Sequence, residues 1–198
     1  MGRTVLIDFH MLHRGTKSPY FIEAQSSLPD DTTIIETDDF MRGRIAGYQS
    51  GTKPYVSFCD DDDYLNLSIP MLNDLARADI PAIYTNSTVL YQDTGRTRLL
   101  QSPHSWLWAD QQSGRITVHQ LTIVRRDVAE HAINSTLEFM GEHHVNPLLF
   151  DLVFNMFVGS KWGWHFVDVN AYTWRHWNVN QSHRGLGSQV DSVRRLFK

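Results

Sequence analysis

Tyr55-Val56-Ser57-Phe58-Cys59-Asp60-Asp61-Asp62-Asp63 is an apolar run that ends in four consecutive carboxylates. Its first half has the β-branched and aromatic character of a buried strand. Upstream, Asp38 or Asp39 can cap a helix over 40–50, which Gly51-Thr52-Lys53-Pro54 stops. Downstream, Ile69, Leu72, Leu75 and Ala76 mark a helix over 67–78, and a further strand begins over 80–84. Farther out, 4–9 and 32–36 read as strands, with a loop and short helical turns over 10–29. This order predicts an α/β fold, three layers around a mostly parallel central sheet. In such sheets ligands bind outside the carboxyl ends of the strands, and the aspartates lie at such an end.

The second half has a different texture. Residues 88–92 and 98–100 can pair as a hairpin around Asp93-Thr94-Gly95-Arg96. A strand is expected over 116–124, helices over 127–139 and 147–158, and a short strand over 166–169. From Trp162 to His183 the chain is rich in Trp and His, and 189–198 reads as an amphipathic helix with a basic face.

The 198 residues suit one domain with a sizeable core. Eighteen Lys and Arg against 22 Asp and Glu give a net charge of −4, which excludes a broadly basic nucleic-acid coat but not a local basic patch. A lone cysteine, Cys59, excludes a disulfide framework or a cysteine-based zinc site within the chain. No apolar run approaches the roughly 18 residues of a membrane span. The start of the sequence reaches Asp8 after a few apolar residues, so no signal peptide is read there. The expected location is cytoplasmic, in the host cytoplasm if the source is viral.

Four adjacent carboxylates at the end of an apolar strand repel one another unless something neutralises them. A divalent cation is the natural remedy, and hard oxygen donors suit Mg2+ or Mn2+. The plainer alternative is a solvated loop that caps the next helix. A calcium loop of the EF-hand type matches poorly, because Tyr64 and Leu65 stand where it needs a third oxygen ligand and a glycine.

Arg44, the strand and the aspartate run together resemble the core motif of GT-A glycosyltransferases, family 2 in particular. Asp60, Asp62 and Asp63 match that family's Asp-x-Asp-Asp pattern, with Asp61 in the variable slot. Only part of the family's small pair is present on the helix, as Ala46-Gly47. Downstream, Tyr172-Thr173-Trp174-Arg175-His176 through Ser182 is similar to the family's late Tyr-x-x-Arg-His segment with its trailing Ser. Gly163 and the strand over 166–169 match what precedes it. The likeness spans about 4–182. It departs after the second strand, where Glu36-Thr37-Asp38-Asp39 lacks the family's Asp-Gly-Ser turn, and the first half is compressed. The brevity suggests a stripped-down enzyme of the kind viral or phage genomes carry.

The resemblance implies transfer of a sugar from a nucleotide-diphosphate sugar, a UDP-sugar above all, with Mn2+ or Mg2+ as cofactor. Residues 1–198 then form one catalytic domain: about 1–85 the nucleotide-sugar half, about 86–183 the acceptor half that completes the metal site, and 184–198 a basic tail. Asp62 is the leading metal ligand, Asp60 a ligand or ribose contact, and His176 the third ligand; aromatic packing with Trp174 and Trp177 is the alternative for His176. Asp151 fits the spacing to Gly163 expected of the general base, although Phe150 replaces the family's usual Glu, and Glu142 is the runner-up. Donor contacts are expected from Asp8, His10, Arg14, Asp38, Asp39, Arg44, Asp60 and Asp61. His13 stands beside them after the first strand, Arg125 and Arg126 end a strand that approaches the acceptor, and Trp106 and Trp108 hang over the site or pack in the core. The acceptor is open among a glycan, a lipid-linked sugar, a protein and a modified nucleic-acid base. Two other readings stand beside the transferase: a two-cation phosphodiesterase or nuclease, which needs more carboxylates to converge on the aspartates, and a non-catalytic nucleotide- or sugar-binding module.

Overall fold

The computed structural model describes residues 5–13, 15, 17–77, 79–102, 105–115, 118, 121–176 and 186–197. Elements run in the order β1 (Ile7–His13), α1 (Phe21–Ser26), β2 (Thr33–Glu36), α2 (Phe40–Gln49), β3 (Tyr55–Asp60), β4 (Tyr64–Leu65), α3 (Ile69–Arg77), β5 (Ala82–Tyr91), β6 (Arg96–Leu100), α4 (Trp108–Ser113), β7 (Thr122–Arg125), α5 (Arg126–Glu142), α6 (Phe150–Trp162), β8 (His165–His176) and α7 (Gly187–Leu196), with a 3-10 turn at Pro147–Leu149 before α6. None of the described helices is long and apolar enough to cross a membrane.

One eight-stranded sheet takes strands from both halves of the chain, in the order β2-β1-β3-β7-β5-β8-β4, with β6 alongside β5. β1, β2, β3, β5 and β8 run one way, and β4, β6 and β7 run against them. The expected mostly parallel α/β sheet is therefore present. Its surprise is β7, an antiparallel strand wedged between β3 and β5. α2, α5 and α6 cover one face through Tyr48, Val56, Tyr84, Val124, Ile133 and Phe154. α1 and α3 cover the other through Phe9, Met11, Phe21, Leu72 and Ile123.

α2 lies close against the sheet. Asp39 is its N-cap and accepts a hydrogen bond from the Arg42 N–H. A side chain at Gly47 would meet the Phe58 ring at 2.4 Å, so only glycine lets the helix sit this near β3. The helix ends before Gly51, whose φ of +82° and closeness to the Asp8 carboxylate both demand glycine.

β1 runs four residues past its expected end, and this corrects the reading of Asp8 and His10. His10 lies inside the strand, not in a loop after it, and Asp8 is held within the strand by protein partners. Asp8 sits near its amino end, four register steps before Leu12, which pairs with Asp60. That separation is about 13 Å. Its carboxylate accepts from the Lys53 N–H and from Arg126, whose guanidinium also donates to the carbonyls of Tyr48, Ser50 and Lys53. Asp8 and Arg126 are thus a tertiary clasp, which also corrects the acceptor-side reading of Arg126. His10 is buried, tilted against the Phe58 ring at 5.4 Å, and neither ring nitrogen has a hydrogen-bond partner among the described residues. Its ring packs within the protein and not against a donor.

Burial pulls the His10 pKa from 6.5 down to about 4, with Arg126 and Lys53 helping and Asp8 opposing. The unfolded chain thus takes up a proton that the folded chain refuses between those values, and stability falls as pH drops through that window. Denaturant midpoints at about pH 7 and about pH 4.5 should fall farther apart in the native chain than in His10→Leu. An equal drop in both would contradict a neutral buried imidazole.

Candidate active site

The carboxyl end of β3 opens into a cleft lined by Arg44, Tyr48, Phe58, Asp60, Asp63, Thr122, Asp151, Asn155, Tyr172 and Trp174. Three of the expected site residues meet here. Arg44, on the buried face of α2, places one guanidinium nitrogen 2.9 Å from Asp60 Oδ1 and 3.2 Å from Asp151 Oδ2. The Phe58 and Phe40 rings lie against the guanidinium, at 4.6 and 5.0 Å from its carbon. Burial works against the charge, but Asp151 and Asp60 outweigh it and raise the Arg44 pKa. Asp151 comes from the first turn of α6 and Asp60 from the end of β3. Arg44 is therefore a cation shared by carboxylates from opposite halves of the chain.

The shape of the aspartate turn is set by β8. Asp63 is buried, and its carboxylate accepts from the Tyr172 hydroxyl at 2.7 Å and the Arg175 N–H at 2.7 Å. The Tyr172 oxygen also accepts from the Asp60 N–H at 3.3 Å. Arg175 Nε donates to the Asp62 carbonyl, and the other guanidinium nitrogens reach Gln92 and Glu23. The Tyr20 ring lies 3.9 Å beneath its guanidinium carbon. Burial, with the charges of Asp62 and Asp60 adding to it, raises the Asp63 pKa well above the usual carboxylate range. Burial and the Asp63 charge likewise keep the Tyr172 phenol protonated, so that it can donate. Asp63 is a structural member of the run, while Asp60 lines the cleft beside Arg44. Asp61 accepts from or donates to His13 Nδ1 at 3.0 Å, according to the imidazole tautomer and carboxyl protonation.

The remaining expected residues fall elsewhere. Asp39 caps α2, and Asp38 stands exposed beside it, beyond β2. Glu142 is exposed at the far end of α5 and does not line the cleft. Arg125 is held by Asp127 and Asp79. Trp106 donates to Gln111 and lies against Gly159, and Trp108 packs on Phe197, so both belong to the α4–α6–α7 packing. His176 shares the strand face of Tyr172 and Trp174, and its ring lies 5.4 Å from Tyr91 and 5.6 Å from Trp174. Arg14, Trp177, Ser182, His183 and most of the basic tail's start lie outside the described residues. Tyr172, Trp174 and Asn155 were missed as cleft residues; the first two belonged to the quoted late segment, while Asn155 carries no signal beyond its place one turn after Asp151.

Among the described residues no group of three or more His, Cys, Asp and Glu side chains is arranged to hold a metal ion, so Asp60, Asp62 and His176 are not assembled as a ready trio. The donor chemistry nonetheless suits Mg2+ or Mn2+. Such ions are commonly bound by one or two carboxylates, with substrate phosphates and water completing the shell, and Asp62 belongs to the same short turn as Asp60, which lines the cleft.

No protein-family model matches the chain, and no curated sequence matches it. Solved structures do. TarS of S. aureus in complex with UDP-GlcNAc superposes with a TM-score of 0.58 at 12% identity, over 96% of this chain and 65% of that one. The complex of the same fragment with UDP gives 0.56 at 12%, over 96% and 65%. A longer TarS chain gives 0.57 at 12%, over 86% and 36%. The chain thus spans less than two thirds of each of these. What is shared at such identities is the fold, and the fold is a Rossmann-like GT-A domain.

Removing the Tyr172 hydroxyl leaves both a buried carboxylate and a backbone amide short of a partner. Tyr172→Phe should lower unfolding free energy by about 1–3 kcal/mol in urea titrations. A change below about 0.5 kcal/mol would mean that the hydroxyl does not hold the turn.

Proposed function

We propose that the chain is a metal-dependent glycosyltransferase that moves a sugar from a nucleotide-diphosphate sugar, in the first place a UDP-sugar, to an acceptor hydroxyl. The observation that carries this reading is the Asp60–Arg44–Asp151 arrangement, at the strand-end cleft of a GT-A domain. TarS, a glycosyltransferase of the same fold, is solved with UDP and with UDP-GlcNAc, which supports a UDP-sugar here.

The roles follow from position. Asp60 and Asp62 would hold Mn2+ or Mg2+, with His176 as the candidate third ligand. When bound, the cation offsets charge on the departing diphosphate. Asp38 and the His13–Asp61 pair stand at neighbouring strand ends and are assigned to the nucleoside side. Arg44 is placed to meet donor oxygens from Asp60's side of the cleft. Asp151 acts as general base for an inverting transfer. It takes the acceptor hydroxyl proton as that oxygen bonds to the anomeric carbon, and the bond from that carbon to the diphosphate breaks with its electron pair leaving on the nucleotide. Glu142, outside the cleft, has no part in this step. The nuclease reading needs further carboxylates around the aspartates, and among the described residues that line the cleft Asp151 is the one carboxylate from another element.

Calorimetric titration with UDP, in Mn2+ and then in chelator, tests this. Binding should require the metal, weaken at least about tenfold in Asp62→Ala, and persist in Asp151→Asn. The Asp151→Asn variant should instead lose about 10²–10⁴-fold in turnover of the UDP-sugar. UDP binding indifferent to both metal and Asp62 would overturn the proposal.

A further inference from the structure

Beyond the cleft, β5, β6 and the last third of β8 form a three-stranded ribbon. Its register is explicit: Arg98 pairs with Val89 and Val89 with Trp174, while Arg96 pairs with Tyr91 and Tyr91 with His176. Residues paired across strands project from the same face. Arg96, Arg98, Tyr91, Trp174 and His176 therefore share one face, and Trp174 is also a wall of the cleft. Val89, between Arg98 and Trp174 on this face, is buried, so the face is carried by the larger side chains around it. Arg98 lies two strand spacings from Trp174, about 10 Å, and Arg96 about 7 Å farther along β6.

Both arginines are exposed, and neither makes an ion pair with a described carboxylate. This contrasts with Arg44, Arg125, Arg126 and Arg175, which are all engaged by carboxylates. Two unneutralised guanidinium groups on one strand face, in a chain of net charge −4, form a local basic strip. The neighbouring Tyr91 and Trp174 rings present the amphipathic aromatic surface on which sugar rings pack.

Resting on the transferase reading, we propose that this ribbon face is the acceptor subsite, and that the acceptor is a saccharide bearing anionic groups, whose reacting end enters the cleft beside Trp174. The donor side of the cleft belongs to the aspartate turn. The ribbon reaches that turn through β8, and its Trp174 lines the same cleft as Asp151. A sugar packs on Trp174 and Tyr91, and its phosphate, sulfate or carboxylate is met by Arg98 and Arg96. A long nucleic-acid strand fits less well, since two arginines on an acidic chain provide little of the electrostatic track such strands need.

The test compares unmodified, phosphorylated and sulfated maltotetraose and a short oligodeoxythymidylate as binding probes, on the full chain and on Arg96→Ser/Arg98→Ser. The native chain should bind a charged tetrasaccharide at least tenfold more tightly than the unmodified one. The double variant should lose that advantage, while its UDP affinity stays within twofold. Whichever of phosphate and sulfate binds better names the anion. An equal affinity of both chains for the charged probes, or a preference for the oligonucleotide, would overturn the acceptor proposal and leave the donor reading intact. Absence of UDP binding in the native chain would instead sink the donor reading.

Discussion

Asp63 buries a carboxylate between the Tyr172 hydroxyl and the Arg175 N–H, and much of the site hangs on that contact. A charge taken out of water is costly unless it is matched by donors. Here the donors lie 109 and 112 residues away in sequence, on another strand. Satisfying the carboxylate thus fastens the end of β3 to the end of β8. The same contact fixes the backbone of residues 60–63, because Tyr172 also receives the Asp60 N–H and Arg175 takes the Asp62 carbonyl. Asp63 thus serves structure, while Asp60 at the start of the same turn lines the cleft.

Arg44 is the second constraint. A guanidinium shared between Asp60 and Asp151 ties a strand-end carboxylate to α6, and the Phe40 and Phe58 rings lie against it. The closeness of α2 to the sheet makes this reach possible, and that closeness depends on Gly47 under Phe58. Packing and chemistry meet at the same ring: Phe58 touches the helix glycine, the buried His10 and the Arg44 cation.

Local signals carried well into the structure. β3 was legible because apolar residues run without interruption into charge, and α2 because a capping aspartate precedes it and a glycine–proline stop follows. Arg44 and Asp151 were legible as family-like positions, and the structure brings them together with Asp60. What failed was non-local or disguised. His10 and His13 read as polar loop residues, yet both are buried in β1 because the strand needs its central place between β2 and β3. Asp8 followed them into the wrong role, since nothing near it announces Arg126 as its partner. β8 was read as four residues and runs for twelve, because Thr, Trp, Arg and His hide a strand whose polar side chains are satisfied by distant partners. Asp63 looked like one of four equivalent carboxylates, and only Tyr172 and Arg175 set it apart.

In the proposed transferase, the turn held by Asp63 offers Asp60 and Asp62 to a cation and a nucleotide diphosphate. Anomalous diffraction from crystals grown with UDP and Mn2+ tests this most directly. A manganese peak about 2.0–2.3 Å from oxygens of Asp60 and Asp62, bridged to the UDP phosphates, is the predicted result. UDP bound with manganese elsewhere, or a manganese site that excludes both aspartates, would contradict it.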